Sequence, residues 1–297
     1  MAHDRLRSRR PFRGGLNVSR ALRIAHGDFG RVALLDMDRS LVRHAHPHCH
    51  VLLKLGGDDT RFAVGSSLAP LTDDLAVLVN AWEPHAYVHD PSRRNALILA
   101  LYIDPSWLRL VQADRIAPGA PGFFPASAGR IDAGIRRLAH DLADAMVDPT
   151  MQAAAREALL SELMIRVVAR FGSLRDRRAM LIEAAGRASI DHRVRRSIDA
   201  MRADPGGVPG MERMAREAGL SRAHFFRLFE RSTGVTPLVF LNMLRVERAV
   251  AAVMKADESL AGIGERLGFG APAQFSRFFR DHVSVAPREF RAVLRSA

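Results

Sequence analysis

The last third of the chain repeats itself. Ala215, Gly219, Phe225, Arg227, Phe229, Thr236, Pro237 and Phe240 return as Gly264, Gly268, Phe275, Arg277, Phe279, Ala286, Pro287 and Phe290. The offset is 49 residues up to Gly268 and 50 from Phe275 onward, so the second copy has one extra residue in its turn. Each copy sets a small residue where two helices would cross closely. A glycine then suits a turn that needs positive φ, and a phenylalanine suits the inner face of the second helix. Such a spacing predicts two helix-turn-helix units in tandem and makes double-stranded DNA the expected partner.

Helical periodicity decides which residues face outward. With Phe225, Leu228 and Phe229 turned inward, Ala223, Phe226 and Arg227 turn out. In the second copy Phe275, Phe278 and Phe279 turn in, and Ala273, Gln274, Arg277 and Arg280 turn out. Arginine pairs bidentately with guanine and glutamine with adenine, while an exposed phenylalanine suits a thymine methyl. Arg222, at the start of its helix, and Arg231 are better placed for phosphate. A single surface arginine is ordinarily just a solvated charge. Arg227 and Arg277 at matched positions tilt the balance toward DNA. Ser221 is the expected N-cap of the first recognition helix, and Pro272 suits the first turn of the second. Thr236 and Pro237 open a helix to about Lys255 that joins the two units rigidly. Recognition helices so held would enter successive major grooves, about 34 Å apart.

The 297 residues allow two domains, and a net charge of +12 favours a polyanionic partner. Lys54 and Lys255 are the only lysines. Arginine suits phosphates and guanine edges, although a coding habit accounts for the bias equally well. Cys49 is the only cysteine, which fits a reducing compartment. No apolar run approaches the roughly 18 residues of a membrane span, and no apolar segment follows the basic N-terminus as in a signal peptide. The expectation is a cytoplasmic protein without a membrane partner, beginning with a flexible basic arm over 1–16.

From Leu16 to Ile103 short apolar runs alternate with Gly, Asp, Pro and Asn, which predicts a β-barrel or sandwich. The pattern then becomes helical. Ile131, Ile135, Leu138 and Leu142 share one face, as do Leu159, Leu160, Leu163, Met164, Val167 and Val168. Such stripes serve intrachain core or a homodimer contact. A polar stretch over 172–189 suits a linker. The expected organisation is a sensor domain over 17–125, a helical connector and dimerisation segment over 126–190, and a DNA-binding domain over 191–297.

Histidines form a second constellation. His44, His46, His48 and His50 would share one face of a strand, and His85 and His89 follow after Asn80-Ala81-Trp82-Glu83-Pro84. Imidazoles so aligned, with His85 from another strand, are a candidate set for a divalent metal: His44, His46, His50 and His85. The alternatives are a metal-free pocket for a small-molecule effector, with His44, His46, Trp82 and His85 as ligand-binding residues, or an ordinary strand. Trp82, Tyr87 and Phe62 are candidate pocket walls, although aromatics in a barrel more often form core.

Taken together, Glu217-Ala-Gly-Leu-Ser221, Phe225-Phe-Arg-Leu-Phe229, Gly234-Val-Thr-Pro237, Arg245-Val-Glu-Arg-Ala249, Leu267-Gly-Phe269, Phe275-Ser-Arg-Phe-Phe279 and Ala286-Pro-Arg-Glu-Phe290-Arg291 resemble the AraC/XylS family of bacterial transcription regulators. The resemblance covers Val194 to Arg295. It implies a multidomain α+β protein: an N-terminal cupin-like β-barrel, a helical connector and an all-α tandem helix-turn-helix domain. It places DNA contacts on Arg222, Ala223, Phe226, Arg227, Pro272, Ala273, Gln274 and Arg277, and adds a small-molecule effector, a homodimer and RNA polymerase as partners. Gly264 departs from the family's usual alanine and Ser284 from its usual glycine. Pro272 and Ala273 are poor base readers, so the second unit is expected to read mainly through Gln274 and Arg277. The histidine segment also resembles a cupin metal motif, with His50 in place of its glutamate and Asp74 at one of its usual glycines. The barrel of many AraC-type regulators carries a similar segment without holding metal. The competing reading is a cupin metalloenzyme with an accessory DNA-binding domain. It would need an open metal position, and Glu83 is the one nearby candidate base.

Overall fold

The protein is described by a computed structural model covering residues 20–27, 29–46, 48–104, 107–108, 123–172, 191–233, 235–255, 257–283 and 285–295. The expected basic arm and nearly all of the expected linker lie outside the described residues. Among the described residues nine strands come first: β1 (Arg20–Gly27), β2 (Gly30–Met37), β3 (Cys49–Gly57), β4 (Thr60–Val64), β5 (Ser67–Leu71), β6 (Leu75–Val79), β7 (His85–Val88), β8 (Ala96–Ile103) and β9 (Ala128–Arg130). They form a six-stranded sheet in the order β1-β2-β8-β3-β6-β9 and a three-stranded sheet in the order β5-β4-β7.

The sequence of β8, Ala-Leu-Ile-Leu-Ala-Leu-Tyr-Ile, lacks polar alternation because both its faces are covered. Ile98, Ala100 and Tyr102 join Phe62 and Tyr87 of the small sheet in an inter-sheet core. Leu99, Leu101 and Ile103 face the other way, onto helices α1 (Ala133–Val147) and α2 (Ala153–Phe171). Asp132 caps α1, its carboxylate accepting from Ile135 N at 2.8 Å. The expected stripes on α1 and α2 are spent on this sheet. Ile135, Leu138, Leu142, Leu163, Val167 and Val168 are buried there, so they are intrachain core and not a free dimer face.

The expected barrel is also corrected, because its hydrogen bonding does not close. Between β2 and β3 the polar segment around residues 38–46 joins no sheet and makes one isolated bridge, His44 with His85. The expected strand carrying His44, His46, His48 and His50 on one face is therefore not formed at His44, His46 or His48, and of the four only His50 lies within β3.

Seven helices follow among the described residues: α3 (His192–Ala203), α4 (Met211–Glu217), α5 (Arg222–Thr233), α6 (Pro237–Lys255), α7 (Leu260–Arg266), α8 (Pro272–Val283) and α9 (Pro287–Arg295). The repeat is visible in their bounds. α4 and α7 are offset by 49 residues, and α5 and α8, 12 residues each, by 50. The extra residue therefore sits in the second turn, as expected. Gly219 and Gly268 hold φ of +67° and +81° there. Ala215 is buried at the helix crossing of the first unit. At Gly264 an added Cβ would stand 2.9 Å from Phe275 Cβ, so the second unit packs closer than an alanine allows. Phe225, Phe229, Phe275, Phe279 and Phe290 are fully buried, each contributing on the order of 2–3 kcal/mol.

Candidate functional site

The outward faces of α5 and α8 stand largely as the periodicity requires. Ala223, Arg227 and Arg231 are exposed on α5, and Pro272, Ala273, Gln274 and Arg277 on α8, with Arg280 half-buried. Ser221 Oγ accepts from His224 N at 3.3 Å, the cap that starts α5. Arg227 and Arg231 line an open groove with His224 and Glu230. Among the described residues neither Arg227 nor Arg277 has an ion-pair partner, so both are free to meet an anion. Two candidates are less free. Phe226 is half-buried against the first unit's core, with the Arg222 guanidinium 5.4 Å above its ring. Arg222 Nε also lies 3.8 Å from Glu212.

Several arginines prove to be scaffold, which residue type alone does not reveal. Arg248 donates to the carbonyls of Arg202 at 2.6 Å and Ala203 at 3.1 Å, satisfying the open C-terminal end of α3. Arg245 donates to Pro205 O at 3.1 Å, and Arg291 to Val253 O at 3.2 Å and Glu258 O at 3.0 Å. These bonds fix the helices that carry α5 and α8.

The histidines converge in the N-terminal domain. His44, His46 and His85 are buried, and each offers a ring nitrogen such that the three lie within 4.8 Å of one another. This group is able to hold a metal ion. Burial holds His44, His46 and His50 well below the usual histidine range, and lowers His85 to about 4. His50 stands beside the group, its ring 4.1 Å from that of Tyr102 and nearly parallel to it. His48 turns away. Its Nδ1 lies 3.6 Å from Glu247 on α6, in the C-terminal domain. Phe62 and Tyr87, expected as pocket walls, pack on each other at 5.1 Å within the core. Trp82 also departs from its expected place. Its φ is +67°, and its ring lies 5.8 Å from Phe240 of α6 and nearly parallel to it. A cleft of about 180 Å³ separates the two domains here, lined by Arg31, His44, His46, Tyr102, Glu247 and His282 among others. Nothing in the sequence pattern ties His48 or Trp82 to α6, because a cross-domain contact has no periodicity.

This geometry defines a helix-turn-helix protein, and residues 214–292 match the family model of a helix-turn-helix domain. The C-terminal domain is similar in sequence to those of known transcription regulators. It is 39% identical over 80 residues to the transcriptional activator RhaS of an Enterobacter species, covering 27% of this chain and 29% of that protein. It is 31% identical over 85 residues to the MmsAB operon regulatory protein of Pseudomonas aeruginosa, covering 29% and 28%. The chain thus matches about a third or less of the length of these curated relatives. The structure of ToxT from Vibrio cholerae superposes with a TM-score of 0.50 at 11% identity, covering 89% of this chain and 96% of that one. The two-domain fold is therefore shared beyond the matched sequence.

Proposed function

We propose that the protein is a sequence-specific DNA-binding transcription regulator whose N-terminal domain senses an effector. The observation that carries this is the pair Arg227 and Arg277, unpaired among the described residues and exposed at matched positions of two 12-residue helices. Arg227 and Gln274 with Arg277 read base edges. Arg222 and Arg231 hold phosphate, and Arg280 lies in the last turn of the second helix. Ala223, Phe226, Pro272 and Ala273 set how closely each helix approaches the groove. Effector binding shifts the balance between arrangements of the two domains, and so the affinity for DNA. A homodimer and a contact with RNA polymerase complete the proposed partners.

Selection of bound sequences from random DNA by the full-length protein tests this. An enriched site with two blocks about one helical turn apart is the expected result, with affinity falling as salt rises. Enrichment of no sequence, or binding unchanged in the double variant Arg227→Ala with Arg277→Ala, would refute it.

A further inference from the structure

We propose that His44, His46 and His85 bind one divalent transition-metal ion of the Zn2+ class through their Nε2 atoms, and that this ion controls how the N-terminal domain grips α6.

The hydrogen bonding sets the three rings up as ligands. His44 Nδ1 lies 2.8 Å from Val42 O, His46 Nδ1 3.1 Å from His48 O, and His85 Nδ1 2.9 Å from Glu83 O. A ring nitrogen that close to a carbonyl oxygen is the one carrying the proton. In a neutral ring the other nitrogen, Nε2, then carries a lone pair. Each ring is thereby oriented by a backbone acceptor, the arrangement that supports metal-bound histidines. Nε2 of His46 and of His85 is buried and has no hydrogen-bond partner among the described residues. Leaving such atoms unsatisfied is unfavourable. A cation satisfies them together, and a water satisfies only those it can donate to. The size also fits. Tetrahedral Zn–N bonds of about 2.0–2.1 Å put ligand nitrogens about 3.4 Å apart, so separations within 4.8 Å close by small ring movements. Three neutral imidazoles suit Zn2+ and its neighbours and disfavour Mg2+ or Ca2+, which take oxygen ligands. The fourth position falls to His50, both of whose ring nitrogens are buried and unpartnered among the described residues, or to a solvent molecule from the cleft.

The ligands sit on two of the segments that touch the C-terminal domain. His44 and His46 flank the approach to His48, which meets Glu247 at 3.6 Å. His85 closes the turn that presents Trp82 to Phe240. The segments are tied together, since Trp82 N donates to His46 O at 2.8 Å and His44 and His85 bridge through their backbones. His44 also lies 6.2 Å, ring to ring, from His282 at the end of α8. An ion held by all three histidines fixes both segments at once, and with them the surface against α6 and α8. Only this regulatory half rests on the protein being a DNA-binding regulator.

The test uses full-length protein stripped of metal and titrated with Zn2+ alone. Expected is one tight equivalent per chain that raises the melting temperature. His46→Ala and His85→Ala should each weaken it by more than the roughly 10–100-fold typical of losing a supporting partner. His48→Ala should leave it in place. If an alanine variant does not fold, His46→Gln and His85→Gln are measured instead. Absence of a tight equivalent in the wild-type protein, or one that survives these substitutions, overturns the site. Zn2+ should also change affinity for the selected DNA by about 5- to 150-fold. An unchanged affinity overturns the regulatory half and leaves the metal site standing. A protein that selects no DNA refutes the regulator reading and that half with it, while the titration still decides the site.

Discussion

Gly219 and Gly268 occupy the same motif position with nearly the same backbone, φ +67° and +81°, yet replacing them should not cost the same. An alanine in the left-handed region costs about 1–2 kcal/mol, offset by about 0.4–1 kcal/mol from the lost freedom of the unfolded chain. At Gly219 nothing lies within 4 Å of an added Cβ, so Gly219→Ala should cost only the balance, about 1 kcal/mol. At Gly268 the added Cβ would stand 2.4 Å from Gly206 O, a rigid backbone atom in the loop after α3. One of the two must move, which adds an overpacking cost of about 1–3 kcal/mol. Gly268→Ala should therefore be destabilised by about 2–4 kcal/mol in total. Urea unfolding of the two variants beside the parent measures the difference. Equal losses would show that the backbone angle alone sets the cost and that the second turn is not wedged against the Gly206 loop.

Arg227→Ala and Arg277→Ala should each weaken binding to the selected site by about 1–3 kcal/mol. The loss should be larger for Arg227, which has exposed Arg222 and Arg231 on its own helix; fluorescence anisotropy at fixed salt would show it, and equal losses would contradict the asymmetry. Glu247 is pushed up to about 7 from 4.5 by burial. The folded protein then binds the proton that the unfolded chain releases between these values, so this part of the stability falls as pH rises through that window and is fully lost above 7. Glu247→Gln should accordingly gain melting temperature over the parent at pH 8 and lose that gain near pH 5. The same difference at both pH values would exclude Glu247 as the source. Trp82→Ala should cost about 1–2 kcal/mol by thermal unfolding, less than for a fully buried aromatic, because the ring is only half-buried against Phe240. No loss would mean that the ring does not help hold the domains together.

The C-terminal domain was legible because its constraints are local and occur twice. A 49-residue offset becoming 50 names the turn that holds the extra residue, and φ at Gly219 and Gly268 follows from helix-turn sterics. The helical stripes of α1 and α2 were legible as buried faces. Their partner was not, since the same stripe serves a dimer or a sheet, and β8 decides the matter only once its second face needs cover. The histidines were legible as a candidate set of four, of which the structure groups His44, His46 and His85, but the course of the chain through them was not. Period-two alternation placed His48 with its neighbours, whereas the chain is irregular there and sends His48 to Glu247. Which of many surface arginines cap helices, as Arg248 does, depends on distant carbonyls that no spacing encodes.

Where the two domains meet helps explain why the repeat has diverged. The second unit's core is continuous with the inter-sheet core of the N-terminal domain, while the first unit keeps a separate core that, among the described residues, reaches that domain through Ala45 and Trp82. α8 thus has its C-terminal end near the histidines, with His282 facing His44, while Pro272, Ala273, Gln274 and Arg277 stay exposed. A helix fixed from behind needs fewer contacts of its own to keep its register. That is consistent with Pro272, a poor reader, standing in the second unit where the first has Arg222. α5 has no such support and carries more exposed arginines, Arg222, Arg227 and Arg231. A change at the domain interface should therefore act first on the second unit, and the base pairs read by α8 should be those whose recognition depends on the state of the N-terminal domain.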